Sequence, residues 1–593
     1  MIDRSTKLRW RRRVRRRQQQ IEGIGSQTEE NLDKHFFRRI GRLYEIRRFI
    51  LSWLLLLVAL IGAVVVQTRA LGDYFLQEVP APGGIFSEAV LGSYTNANPI
   101  FASNDVDTTV SRLIFSGLLT YDKSNELVGD LAKEWSVDKT GKLYTLKLRE
   151  DVLWHDGKEF TSQDVVYTYR AIQNPDTRSP YFSSWQGIKV EAPDDKTVTF
   201  LLPNILASFP HSLVSGILPS HLLGTTTPAG LRGSLFNTVE PIGTGPFRWN
   251  DVEVYGDTAE NREQRIALSA YGDYHRGRPK LSEFIVRAFL EEKTLTESFN
   301  TGELNAVAGA LSMPVVSDQT EEISIPLTGG VMVFLRTTQE ILKDVKVRQA
   351  LSMATDKKDL VQKLDFKSTP IDGPFLKEHV GYNPKIVQYS SNVMRANELL
   401  DGAGWKVGAG GLREKAGKRL TLNLYTLSSA EYATVASQLQ KHWRQVGVDL
   451  QINSIAQREL QSVIDERNYD ALVYGIVMGT DADQFAYWHS SQADARSQRR
   501  LNFSDYSSKT SDSALVAGRT RVDPALRAAK YLPFLQSWRE DAPAIGLYRP
   551  RFVYITHGPV YNLNKDSLNI PIDRFNNVEE WMIRTTRAAA NKK

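Results

Sequence analysis

Between Phe49 and Thr68 the chain runs for 20 residues without a charge, and Phe49 to Val66 is almost wholly apolar. At ~1.5 Å rise per residue, a helix of that length crosses the ~30 Å hydrocarbon core of a bilayer. The segment therefore predicts a transmembrane helix over 49–68. Arg38, Arg39, Arg42, Arg47 and Arg48 lie just before it, and only Arg69 follows closely before Asp73 and Glu78. The excess of flanking cations before the span puts the N-terminus in the cytoplasm and everything after about residue 70 outside. We read the span as a retained single-pass anchor in the cell membrane, because a cleaved signal would need a charged leader about 48 residues long.

The formal charge of +6 is unevenly placed. Residues 1–48 hold 15 Lys and Arg against 6 Asp and Glu, leaving 59 against 62 in the rest. The body is mildly acidic and lacks the basic face that neutralising phosphates requires, which argues against nucleic acid as its partner. The run from Arg9 to Arg17, with Trp10 inside it, reads as a solvated, topology-setting cytoplasmic tail, with anionic lipid headgroups as a further reading. Cysteine is absent. That excludes disulfides, thiolate nucleophiles, Cys-based zinc sites and a lipidated-cysteine anchor. With 593 residues the chain exceeds the ~250–300 at which a single core stops growing, so more than one packed unit is expected.

Pro80, Pro82, Gly83 and Gly84 punctuate the chain after the span, so the folded body should begin near residue 84. Tyr144, Leu146 and Leu148 alternate with polar neighbours, as do Val198, Phe200 and Leu202, and both patterns predict half-buried strands. Thr161 and Asp164 form a capping box that predicts a helix start. Asp344 and Asn392 stand where they can cap two further helices with apolar residues at helical spacing. A third helix carries Val435, Leu439, Trp443 and Val446, ends at Gly447, and leads into the alternation of Val448, Leu450 and Ile452. Helix, glycine, strand is an α/β unit.

No Gly-x-Ser-x-Gly elbow and no His-Glu-x-x-His helix is present, and the nine histidines do not fall at metal-ligand spacing. Neither catalysis, nor a metal, nor a cofactor is expected. Trp154 and His155 read as packing residues, Asp156-Gly157 as a turn, and Gly243 to Pro246 as a conformational element.

The segment Leu153-Trp154-His155-Asp156-Gly157-Lys158-Glu159-Phe160-Thr161-Ser162-Gln163-Asp164-Val165-Val166 closely resembles the signature of family 5 extracellular solute-binding proteins. These include the oligopeptide-, dipeptide- and nickel-binding proteins of ABC importers. The resemblance continues in order through Asn98-Pro99, Gly243-Thr244-Gly245-Pro246-Phe247, Asn300-Thr301-Gly302-Glu303-Leu304 and Asp344 to Leu351. It goes on through Ala396 to Gly404, Gln445-Val446-Gly447-Val448 and Asp541-Ala542-Pro543-Ala544. It implies an α/β, two-lobed, type II periplasmic-binding fold with a hinged cleft. By that likeness lobe I comprises 84–325 with 544–593 returning to it, and lobe II comprises 326–543.

The resemblance further implies a monomeric binding subunit that captures a small peptide or other small solute and delivers it to ABC permease and ATPase subunits. Candidate cleft residues are Asn98, Ser103 and Asn104 from the opening loop, Trp185, and Tyr474, Met478, Asp481 and Asp483 from the second lobe. In peptide-binding relatives an aspartate in lobe II pairs with the ligand's α-amino group, and Met478 stands at that position here. The alternatives are a non-peptide solute such as a metal chelate, haem or sugar, and a sensor or surface-interaction module built on the same fold.

Overall fold

The computed structural model describes residues 14, 47–258, 261–309, 320–497 and 500–589. The arginine-rich run read above as a tail lies outside the described residues, apart from Val14. The chain divides into two compact units, Met1–Val79 with Thr585–Lys593, and Pro80–Arg584. In the first, one helix spans Arg47–Phe75, seven residues beyond the predicted Thr68. Its stretch Phe49–Arg69 has a mean hydropathy of 2.9 and is buried against no protein. Leu51, Leu54, Leu55, Leu56, Leu57 and Leu60 are each more than half exposed. A helix that is apolar on every side and covered by nothing suits lipid and not water.

The second unit is built on two mixed sheets. The first contains β1 (Ile85–Leu91), β2 (Phe247–Tyr255), β3 (Glu263–Ala270), β4 (Glu283–Phe289), β5 (Ala306–Ala308) and β6 (Thr320–Pro326). The chain then leaves for β7 (Gly329–Leu335), β8 (Thr421–Leu427), β9 (Asp449–Ile455), β10 (Ala471–Val477) and β11 (Ala544–Tyr548) of the second sheet. It returns with β12 (Arg551–His557), giving strand orders β6-β12-β5-β1-β4-β3-β2 and β9-β8-β10-β7-β11. β1 runs parallel to β4 and β5, and β8 parallel to β9 and β10, while β7 is antiparallel to both its neighbours.

The expectation that 544–593 returns to the first half is corrected at its start. Ala544, Ile545, Gly546 and Tyr548 pair with β7 in the second sheet, so the return crossing falls at Arg549–Pro550. The reason is burial: β7 and β11 are covered along their whole length, and a central strand needs a partner on each edge.

β7 shows how one strand serves two cores. Val331, Val333 and Leu335 face Leu351, Leu400 and Trp443, whereas Met332 and Phe334 face Trp488, Tyr531 and Trp538. Successive side chains point to opposite faces of a sheet, so a seven-residue apolar strand covered by helices on both sides fills both layers. The first sheet shares its core with a smaller antiparallel sheet in which Tyr144 lies opposite Phe200 and Leu146 opposite Val198. The two alternating segments read from the sequence are thus direct neighbours.

Local signals act as expected. Asp344 caps Val345–Ala354 by accepting from Lys346 N–H at 2.9 Å, and Asn392 caps Val393–Gly402 through Arg395 N–H at 2.9 Å. Gly447 takes φ +80° after the helix Ala430–Arg444, a conformation a side chain resists. The Asp164 carboxylate accepts from Thr161 N–H (2.9 Å), Ser220 N–H (2.8 Å), Ser220 Oγ (2.6 Å) and the Trp154 indole (3.3 Å). One buried acid therefore ties the signature segment to its helix and to the turn at Ser220, which explains why Trp154 and Asp164 occur together.

Gly243 lies against the helix Asp105–Ile114 so closely that an added Cβ would overlap the Ile114 carbonyl oxygen. That carbonyl already accepts from Gly245 N–H at 2.7 Å. Gly157 has φ +83° with open space around it. Gly243→Ala is therefore expected to destabilise by more than the ~1–2 kcal/mol that a left-handed conformation alone costs at Gly157→Ala. Urea unfolding of the two variants checks this, and equal losses would contradict it.

Candidate ligand-binding crevice

The two halves meet along a seam built from two segments of the first and three of the second. From the first half come the strand Leu119–Tyr121 and the 3-10 segment Phe209–Val214. From the second come the turn after β10, residues 478–484, and the helices Lys509–Arg519 and Pro524–Asp541. Ser208 Oγ donates to Asp483 Oδ2 at 3.0 Å, His211 Nε2 lies 3.8 Å from Asp481 Oδ2, and Ala207 N–H donates to Arg519 O at 2.9 Å. The far ring nitrogen of His211 is 2.9 Å from the Tyr121 hydroxyl.

Both carboxylates in the turn are held from within their own half. Asp481 meets Arg527 with both oxygens, one arm at 2.6 Å, and Arg527 lies over the Tyr531 ring. Asp483 pairs with Arg519 at 3.0 Å, and that guanidinium sits 4.2 Å from the centre of the Phe485 ring. Burial alone would push the Asp481 carboxyl up, but hydrogen bonding and charge from Arg527 hold it below its ordinary range. Burial pushes the His211 imidazole down despite the nearby Asp481. The seam thus joins a histidine and a serine to two arginine-paired carboxylates.

The crossings between the sheets are hydrogen-bonded to the same turn after β10. Leu327 N–H donates to Pro550 O at 2.9 Å, and Thr328 N–H to Leu568 O at 2.7 Å. Thr328 O accepts from Met478 and Gly479 N–H at 3.0 and 3.1 Å. Asn125 reaches the Thr328 hydroxyl at 3.0 Å. On the first half a cavity of about 170 Å³ is lined by Pro99, Ala102, Arg112, Phe115, Ile572 and Asp573 among others. Asp573 is close enough to Tyr121 that its charge, after burial, helps push that phenol up.

The structure brings only some of the candidate residues together. Asp481 and Asp483 lie in the seam, as members of ion pairs with Arg527 and Arg519. Tyr474 is half-buried with its ring against Phe503 at 5.6 Å, and Met478 is 4% exposed in the second core. Asn98 is fully buried and spent, donating to Asn237 at 2.8 Å and accepting from Ile100 N–H at 3.1 Å. Asn104 caps Asp105–Ile114 through Asp107 N–H at 2.8 Å, and Ser103 is exposed beside it. Trp185 packs 4.1 Å from Tyr169 and against Phe200 and Phe209 in the first core. For Asn98 and Trp185 a cleft position is therefore corrected to a core one. The opening loop does line the cavity, through Pro99 and Ala102.

Sequence reasoning missed Tyr121, Ser208, His211, Arg519 and Arg527, because each acts through a partner far away in the chain. No local pattern marks an arginine whose carboxylate lies 46 residues earlier. His155, read from the sequence as a packing residue, lies under Tyr271 with burial pushing it down to about 4.

Comparison with known proteins agrees with this architecture. The oligopeptide-binding protein AppA of Bacillus subtilis is 26% identical over 497 residues, covering 79% of this chain and 87% of that protein. Its structure in complex with a nonapeptide superposes with a TM-score of 0.66 at 25% identity, over 85% of this chain and all of AppA. NikZ of Campylobacter jejuni, in complex with Ni(L-His), gives a TM-score of 0.70 at 27% identity, over 84% of this chain and 99% of NikZ. The model of the family described as bacterial extracellular solute-binding proteins, family 5, middle, matches residues 126–497. With two mixed sheets joined by two adjacent crossings and more than half its length matched, the chain belongs to the family 5 bacterial extracellular solute-binding proteins.

Proposed function

We propose that this protein is the membrane-anchored substrate-binding subunit of a peptide-type ABC importer. It is a monomer whose residues 1–48 lie in the cytoplasm, whose helix 49–68 crosses the membrane once, and whose body faces outward. Permease and ATPase subunits are its partners. Two lobes, divided near 326 and again at 549–550, swing together over a solute, and the closed form is what the permease reads. The observation that carries this reading is the seam, in which Ser208 and His211 of one half engage Asp483 and Asp481 of the other. These contacts are largely buried, so the cost of desolvating both partners offsets most of their attraction. Closure must therefore be driven by a ligand that touches both halves, since only differential affinity for the closed state shifts the equilibrium.

Peptide as solute is supported by the likeness to AppA, with any ligand amine met elsewhere than in the turn after β10. Asp481 and Asp483 are already neutralised by Arg527 and Arg519, and Met478 is apolar, so this turn offers no spare carboxylate to a ligand amine.

Two outcomes check the proposal. Mass spectrometry of small molecules released on denaturing the purified chain should find peptides. A saturating peptide pool should raise the unfolding midpoint, since a ligand at 100 times its dissociation constant adds ~2.7 kcal/mol. No peptide released and no stabilisation by any pool would sink the peptide assignment and leave the family intact. Asp481→Ala should cost ~3–5 kcal/mol by leaving Arg527 buried and unpaired, with stability largely restored in Asp481→Ala/Arg527→Leu. Unchanged stability with lost binding would instead make Asp481 a ligand contact.

A further inference from the structure

Asp573 stands apart from the other buried carboxylates in what surrounds it: Asp107 and Asp164 also lack a cation, but each accepts at least four hydrogen bonds from neighbouring N–H, hydroxyl and indole groups. Glu88 is held by Arg574 at 2.6 Å, Asp130 by His275 at 2.7 Å and Asp481 by Arg527. Asp573 is 7% exposed and, among the described residues, no Lys, Arg or His comes within ion-pair distance of it. What it receives is backbone N–H, from Ile570 at 3.2 Å, at the start of the 3-10 segment Pro571–Glu580. Its side chain lines the cavity of about 170 Å³ beside the seam.

Arg112 lines the same cavity and does not close the account. Its guanidinium donates to neutral acceptors, Thr120 Oγ1 at 2.8 Å, Asn576 Oδ1 at 2.6 Å and Val214 O at 3.4 Å. The remaining wall mixes the apolar Pro99, Phe115 and Ile572 with the hydroxyl side chains of Thr108, Ser111, Tyr181 and Ser215, none of which carries a charge. Burial pushes the Asp573 carboxyl up to about 6, outweighing the pull of Arg112. A carboxylate in such a place is stabilised when a cation arrives from outside, because the gain is made where little water competes.

We propose that Asp573 anchors the positively charged amino group of the bound solute, in a cavity whose Arg112 can meet the carbonyl oxygen that follows that amine in a peptide. This deepens the peptide-binding reading and rests on it. The capping bond from Ile570 N–H does not account for the cavity. An asparagine would keep that bond and lose only the charge.

The test uses the full chain in detergent micelles, titrated with a pool of short peptides bearing free N-termini and with the same pool N-acetylated. The wild-type protein should bind the free-amine pool at least tenfold more tightly. Asp573→Asn, which preserves shape and the capping bond, should bind both pools alike, at the level of the acetylated one. Equal wild-type affinity for the two pools overturns the proposal without any variant. So does an Asp573→Asn protein that keeps the preference for free amines, and in both cases peptide binding itself survives. Failure of the wild-type chain to bind either pool overturns the anchor and the peptide reading together.

Discussion

The chain changes sheets at two places that are bonded to each other, and the arrangement of the two-sheet body follows from that. Leu327 and Pro550 share a backbone hydrogen bond, and Thr328, next in line, gathers Met478, Gly479, Leu568 and Asn125 around one residue. Pro550 fixes its own φ and offers no N–H, so it acts as an acceptor at the crossing. Immediately beyond lie β7 and β11, buried along their whole length, and β12, which is hydrogen-bonded in the first sheet. Bending at such a pair of strands moves whole sheets as bodies and leaves their cores intact, the geometry of hinged closure.

Electrostatics then decide what the crevice can offer. The turn after β10 is acidic in sequence but not in effect, because Arg527 and Arg519 return from two later helices to neutralise it. Charges paired this way set orientation more than they add stability, as desolvating both partners offsets most of their attraction. They hold the turn in one shape, against which Ser208 and His211 can register. Across the seam, Asp573 is a buried carboxylate that lines a cavity and has no ion-pair partner among the described residues.

Much of the fold could be read in advance where its causes are local. Apolar alternation marked the Tyr144 and Phe200 strands, side-chain caps marked three helices, and the order of short motifs marked the family. Each depends on residues within a few positions of one another. The site was far less legible. Asn98 and Trp185 belong to segments near the crevice, yet Asn98 turns inward to Asn237, 139 residues away, and Trp185 to Tyr169 on the preceding helix, and orientation is fixed by these packing partners. The Ala544–Tyr548 strand was assigned to the wrong half for the same reason: a short run buried on both faces carries no alternation to show which sheet it completes. Asp573 gave no signal at all, since what distinguishes it is a missing partner in three dimensions.

The central claim is that the two halves close on a captured solute. Because the chain contains no cysteine, one pair can be introduced at exposed positions of the two halves, Lys158 and Glu459, and spin-labelled for distance measurement by electron paramagnetic resonance. The account predicts a longer, broader distance distribution in the ligand-free protein that collapses to a shorter, narrower one when solute binds. A single distribution that stays the same while binding is independently shown to saturate would contradict it.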